Sequence, residues 1–243
     1  TGLNTAWLFL QKSPLFLHIF VHSVSASVFG LSLPEADTLL SACRDVVRAN
    51  AVCPGRIRVT VTGGRAPLGS EKGDYPETVI VAAGKLPEQP EITEVVTVPF
   101  ARNEHGALVG LKTISYGENV VALAHARARG AREAIFGNVA GNLCEGTGSN
   151  IFIVNKGQLI TPPLSAGCLP GVTRALVADL CDVANINLQQ TDTHLSKLKD
   201  VDSAFLTSTL RGVQPIGRVD GQPLRETAVD CTKKLQAAFR ELC

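Results

Sequence analysis

The chain has 243 residues, of which 45% are apolar and 19% charged, and its formal net charge is +1. That length and balance allow one large or two small globular domains with a sizeable core. They exclude a strongly basic nucleic-acid surface and an acidic tail, so no nucleic-acid partner is expected.

The first apolar stretch, "AWLFLQKSPLFLHIFV", is interrupted by Gln11, Lys12, Ser13 and Pro14. It falls short of the roughly 20 clean residues of a membrane span, and no signal peptide is evident. The chain has no methionine, from which a partial or processed N terminus is expected. Seven cysteines occur without any C-x-x-C pair. That argues against a disulfide framework and a zinc knuckle, and fits a reducing cytoplasm.

Residues 34–50 carry a helical pattern with Leu39, Leu40, Val46 and Val47 on one side. "RIRVTVTGG" (56–64) alternates with period two and ends in a glycine turn, so it predicts a strand. "ETVIVAAG" (77–84) predicts a second strand buried on both faces, and "EVVTVPFA" (94–101) a third. "RNEHG" (102–106) reads as a hinge between a domain over 1–103 and a larger one over 107–243.

A helix is expected over about 116–129, with Val120, Val121, Leu123 and Ala124 apolar and Gly130 as C-cap. Residues 133–163 read as strands separated by Gly-Asn and Lys-Gly turns. Residues 171–185 read as a helix, 203–209 as a strand entering a turn, and 224–241 as a closing helix. Strands and helices mix without regular βαβ alternation, which predicts an α+β fold.

Four features of the second half can carry chemistry. Lys112 and Tyr116 stand four apart in "GLKTISYGENV". Glu145 lies in the glycine-rich turn "CEGTGSN", where an acid among apolar strands needs a cationic or N–H partner. "CLPGVTR" (168–174) opens a helix, whose free N–H groups and positive dipole end suit a phosphate. "LTSTLRG" (206–212) ends a strand in hydroxyls that can add donors from a turn. Singly, each also reads as ordinary chemistry: a solvated lysine, a turn acid, an N-cap threonine, a polar turn.

Taken together and in this order, the four resemble the class IV aminotransferase family, the pyridoxal-phosphate enzymes of fold type IV. The resemblance runs from about residue 56 to the end and is tightest at 110–174 and 203–216. It implies a two-domain α+β enzyme, a homodimer with the cofactor between the domains, and an amino substrate. Lys112 matches the lysine that forms the Schiff base and moves the substrate proton. Tyr116 matches a residue at the cofactor's phenolic oxygen, Glu145 the partner of the pyridine nitrogen, and Leu169 an apolar residue on the ring. Val172, Thr173, Ser208 and Thr209 match the phosphate cup. A neutral lysine amine is nucleophilic, and once freed it can act as general base and acid. A carboxylate at the ring nitrogen maintains the electron sink.

Two departures from the family pattern bear on activity. The family's H-x-x-R-L-x-x-S-A stretch corresponds to "HIFVHSVSA" (18–26). There His18, Ser25 and Ala26 fit, but Val21 replaces the phosphate-clamping arginine and His22 the leucine. The Arg-x-His carboxylate trap of D-amino-acid aminotransferases is replaced by Leu68, Gly69 and Ser70. Arg65, Arg102, His105 and Arg211 are the alternative candidates for holding a substrate carboxylate. The expected reaction is that of aminodeoxychorismate lyase, which releases pyruvate and 4-aminobenzoate. The alternatives are a branched-chain type transaminase and a degenerate cofactor-binding homologue.

Overall fold

The computed structural model describes residues 23–52, 54–227 and 229–242. The chain divides into two compact units, Thr1–Glu88 and Gln89–Cys243. In the first, residues 23–28 are helical. Helix α1 (Ala36–Asn50) buries Leu39 and Cys43, one turn apart, while Leu40, Val46 and Val47 are half-buried beside them. Ala51 ends it in the left-handed region, φ 49°.

Strands β1 (Gly55–Thr62) and β2 (Thr78–Lys85) form an antiparallel pair with Thr62 opposite Thr78. Contrary to expectation, β2 is not buried on both faces: Ile80 is 51% exposed. Within this unit the sheet has two strands, and α1 packs against it. The loop between the strands holds Leu68, Gly69 and Ser70, all exposed.

The second unit is built on one sheet. Strand β3 (Thr93–Arg102) pairs in parallel with β4 (Glu133–Asn138), so it belongs to this unit. The unit boundary therefore falls after Glu88, before the 102–106 segment that the sequence marks as a hinge. Strands β5 (Leu143–Gly146), β6 (Asn150–Asn155), β7 (Gln158–Thr161), β8 (Leu188–Gln190), β9 (Ser203–Ser208) and β10 (Gly212–Val219) complete the order β5-β4-β3-β10-β9-β6-β7-β8, with β11 (Gln222–Pro223) on β10. The two ends of this order meet. Past β8, Thr193 accepts the Leu143 N–H at 2.7 Å, and Gly141 accepts the Leu195 N–H at 2.9 Å. The sheet curls and closes through this segment.

Closure gives every central strand two apolar faces, and the period-two pleat sorts the side chains. Ile151, Ile153, Ala204, Leu206, Val95 and Ile135 share the inner core. Their neighbours Phe152, Val154 and Phe205 face outward under helices α3 (Val172–Val183) and α4 (Asp230–Leu242), joining Val177 and Leu235. Val96 and Phe136 face outward under α2 (Gly117–Arg127).

Helix α2 turns a different face inward from the one its valines suggest. Ala122 and Ala126 are fully buried, whereas Val120 and Val121 are 65% and 55% exposed. Alanines one turn apart let the helix axis approach β3 and β4 closely, and bulkier residues then point away. Among the described residues, no helix is long and apolar enough to cross a membrane.

Phe152 and Phe205 are cross-strand partners whose rings stack at 4.9 Å between centroids. Phe205→Ala should lower the unfolding free energy by about 3–5 kcal/mol, because a buried aromatic leaves a cavity. Val120→Ala on the exposed face of α2 should change it by about 0.5 kcal/mol or less. Urea denaturation followed by circular dichroism measures both, and comparable losses would refute this core assignment.

Candidate active site

The segment carrying Lys112 is neither helix nor strand. It runs from the end of β3 to the start of α2. Gly110 has φ +72°, the left-handed region that favours glycine, and a Cβ there would lie 3.9 Å from Pro170 Cδ. This brings the segment beside the loop that precedes α3. Lys112 Nζ donates to Tyr116 Oη at 2.6 Å and sits 5.2 Å from the ring centroid. Tyr116 is the residue just before the first turn of α2, so the helix start sets the position of the phenol.

Glu145 lies on β5 opposite Phe136 of β4. Its Oε2 accepts the Leu169 N–H at 2.9 Å, and its Oε1 is 3.4 Å from Arg102 Nε. The arginine is held from three sides. Nη1 meets Glu118 at 2.8 Å, Nη2 donates to Asn119 Oδ1 at 2.8 Å, and the guanidinium lies 4.2 Å over the Phe136 ring. Its Nε is buried and makes an ion pair but no hydrogen bond. Burial pushes the Glu145 carboxyl above its ordinary range, while the Leu169 N–H and the charges of Arg102 and Lys112 oppose that rise. Glu145 and Lys112 thus share one electrostatic environment.

The loop before α3 is tied to the sheet by Asn150, whose Nδ2 donates to Leu169 O at 2.8 Å. A Cβ at Gly171 would collide with Asn150 Oδ1, so this approach requires glycine. Gly171 is also the N-cap of α3, and no side chain caps that end. Val172 and Thr173, both buried, open the helix there. Asn150 is the register partner of Thr207, the residue before Ser208. The N terminus of α3 and the Ser208 turn therefore lie at the same end of the sheet. Arg211 N–H donates to Ser208 O at 3.2 Å and to Ser208 Oγ at 3.3 Å, closing that turn around Thr209.

These residues fit pyridoxal phosphate on the structure's own terms. A dehydrated carboxylate suits a protonated pyridine nitrogen, and an uncapped helix start beside a hydroxyl turn suits a phosphate ester. The comparisons with known proteins agree. Residues 21–219 match the model of the amino-transferase class IV family. The chain belongs to the class IV aminotransferases. Class IV aminotransferases use pyridoxal phosphate, and the fold is that of the fold type IV enzymes. The branched-chain-amino-acid aminotransferase of Pseudomonas aeruginosa is 32% identical over 232 residues, covering 90% of this chain and 74% of the relative. The branched-chain amino acid aminotransferase of Thermobaculum terrenum, in its pyridoxal-phosphate-bound form, superposes with a TM-score of 0.84 at 26% identity, covering 94% of this chain and 78% of the other. A Legionella pneumophila protein assigned as a 4-amino-4-deoxychorismate lyase superposes at 0.89, covering 94% and 85%, but its 23% identity shows the fold alone.

The structure also assigns partners to residues the motifs left open. Arg102 and Arg211, two candidates for binding a substrate carboxylate, are each engaged by a carboxylate of the chain, Glu145 and Glu118 for one and Glu133 for the other. Arg65 and His105 are exposed. Ser25 and Ala26 are buried, while His18, Val21 and His22 lie outside the described residues. The roles of Asn119, Glu133 and Asn150 are not evident from the motifs. For Glu133 the signal was present: an acid in the apolar run "AREAIFG" poses the same question as Glu145.

A raised carboxyl pKa means that the folded state binds the proton more tightly than the unfolded chain. The ionised form therefore opposes folding, and this penalty grows as pH rises from the ordinary value of 4.5 through the raised one. In cofactor-free protein, the stability of Glu145→Gln relative to the parent should improve over that window and level off above it. Chemical denaturation at a series of pH values reads this difference, and a difference that declines with pH would show the opposite linkage.

Proposed function

We propose that this class IV aminotransferase moves the amino group of an aliphatic amino acid to a 2-oxo acid. The observation that carries the reading is the geometry of the two groups: Glu145 is held by the Leu169 N–H and Arg102, and the segment of Lys112 and Tyr116 runs beside the same loop at Pro170. The choice of substrate is supported by the branched-chain aminotransferases among the relatives. When bound, pyridoxal phosphate draws electrons from the substrate carbon into its ring.

The chain's own residues divide the remaining work. With pyridoxal phosphate bound, Lys112 Nζ would be the group that holds it and would move a proton at the substrate's α-carbon. Tyr116 Oη, hydrogen-bonded to that nitrogen, limits where the freed amine can swing. Glu145 would hold the proton on the ring nitrogen, and Arg102 favours the ionised form of Glu145 against the cost of its burial. Leu169 would cover the ring and exclude water, while its N–H fixes the acid. The N–H groups at Val172 and Thr173 would bind the phosphate with the turn at Ser208 and Thr209. The reading includes a homodimer, as the resemblance to the family implies.

Lyase chemistry on aminodeoxychorismate is the second reading. The observation favouring it over D-amino-acid transamination is the absence of an Arg-x-His trap at Leu68, Gly69 and Ser70. There Lys112 would remove the ring proton as pyruvate leaves.

Purified protein with pyridoxal phosphate, leucine and 2-oxoglutarate should form glutamate and release no 4-aminobenzoate from aminodeoxychorismate. The reverse pattern replaces transamination with the lyase. Failure of added cofactor to develop a visible absorption band leaves neither enzyme reading standing. Lys112→Ala should abolish turnover with an unchanged far-ultraviolet dichroism spectrum, and Glu145→Gln should bind cofactor yet turn over more slowly. Full activity in the Lys112 variant overturns its assignment. Sedimentation of the parent protein should give the mass of a dimer.

A further inference from the structure

One buried acid takes no part in the chemistry above. Glu133, 2% exposed, opens β4. Its carboxylate accepts the N–H groups of Ala134 and Thr147 at 3.0 Å each, the Ser149 hydroxyl at 3.1 Å, and the Thr147 hydroxyl. Arg211 Nη2 completes the shell at 3.2 Å. Arg211 in turn donates through Nη1 to Gln214 Oε1, and Gln214 reaches back to Pro90 O.

The two turns that meet on Glu133 both border the cofactor site. The 147–149 turn joins Glu145's strand to Asn150's strand. There a Cβ at Gly146 would collide with the Ser149 hydroxyl, and Gly146 is adjacent to Glu145. The other turn is Ser208–Arg211, whose backbone closes on the Arg211 N–H. Arg211 is thus fastened at both ends. Its main chain shapes the Ser208 turn, and its side chain is locked to a carboxylate on the far side. The same network continues through Thr147 O to Asn119 and from Asn119 to Arg102, the partner of Glu145.

A solvated turn would not need such an anchor. An ion pair between two side chains this buried, with both carboxylate oxygens engaged, is a geometric constraint more than a source of stability. We propose that the Glu133–Arg211 pair is a positioning device that presets the Ser208–Thr209 turn for a phosphate ester. It rests on the reading of that turn as part of the phosphate cup. The Arg211 side chain donates to Gln214 through Nη1 and to Glu133 through Nη2, so it is directed away from the turn and onto these two partners. Arg211 acts through the turn that its main chain closes.

The readout is a ratio of affinities. Full-length cofactor-free protein is titrated with pyridoxal phosphate and with pyridoxal, which lacks the phosphate, and binding is followed by absorbance. In the parent protein the phosphate ester should bind far more tightly. Glu133→Gln should lower that preference on the order of tenfold, as for one or two lost hydrogen bonds, with pyridoxal affinity unchanged within about twofold. Arg211→Lys keeps the charge but loses the fork, and should fall between the two. If Glu133→Gln does not fold, the double variant Glu133→Gln/Arg211→Gln carries the same test with no buried charge left unpaired. Equal losses for both ligands, or none, overturn the proposal. Ser208→Ala with Thr209→Val separates it from the reading beneath it. Loss of the phosphate preference there but not in the Glu133 variants overturns only the positioning role, whereas no loss in either overturns the cup as well.

Discussion

The site depends on a carboxylate held out of water. Glu145 sits where burial disfavours its charge, and three groups oppose that cost: an amide of the α3 loop, a guanidinium, and the amine of Lys112. None of these is near Glu145 in sequence. The long-range contacts of the second unit exist in large part to deliver them.

The closed sheet makes that delivery possible. Because its strands are largely apolar on both faces, most of the polar groups at the site stand at strand ends or in turns. The 147–149 turn, the 168–171 loop and the 208–211 turn are such places. Asn150 illustrates how one residue serves two of them. It begins β6, pairs in register beside Ser208, and reaches across to the carbonyl of Leu169 through its amide. The loop before α3 can come this close because Gly171 offers no side chain to collide with that amide.

Much of this was legible in the sequence, and the limits have physical causes. The strand assignments at 94–101 and 203–209 hold nearly to the residue, because both segments are strand-length runs rich in β-branched and aromatic residues. The four-part motif was readable because turn chemistry is local: glycines, hydroxyls and one acid must stand at fixed spacings. The face of α2 was not readable. Periodicity points to the bulky valines, whereas close approach to β3 and β4 selects Ala122 and Ala126, and that choice depends on a distance between elements. The two-faced burial expected of β2 failed for a related reason, since an apolar run cannot report how many strands will flank it. The partners of Arg102 and Arg211 were equally hidden. A guanidinium's engagement is decided by which acids the fold brings to it, and Glu133 is 78 residues away from Arg211.

The stacking of Arg102 on Phe136 carries a consequence for how this core tolerates change. Phe136 is almost fully buried and sits opposite Glu145 in the sheet, so by volume it is one more filler of the space beneath α2. Its ring face is also electron-rich, and the guanidinium lies directly over it. An aliphatic residue of similar size would fill the same space yet remove the surface on which the arginine rests. Substitution at Phe136 is therefore constrained by polarity as well as by shape, and the boundary between scaffold and candidate site runs through the interior of a single side chain.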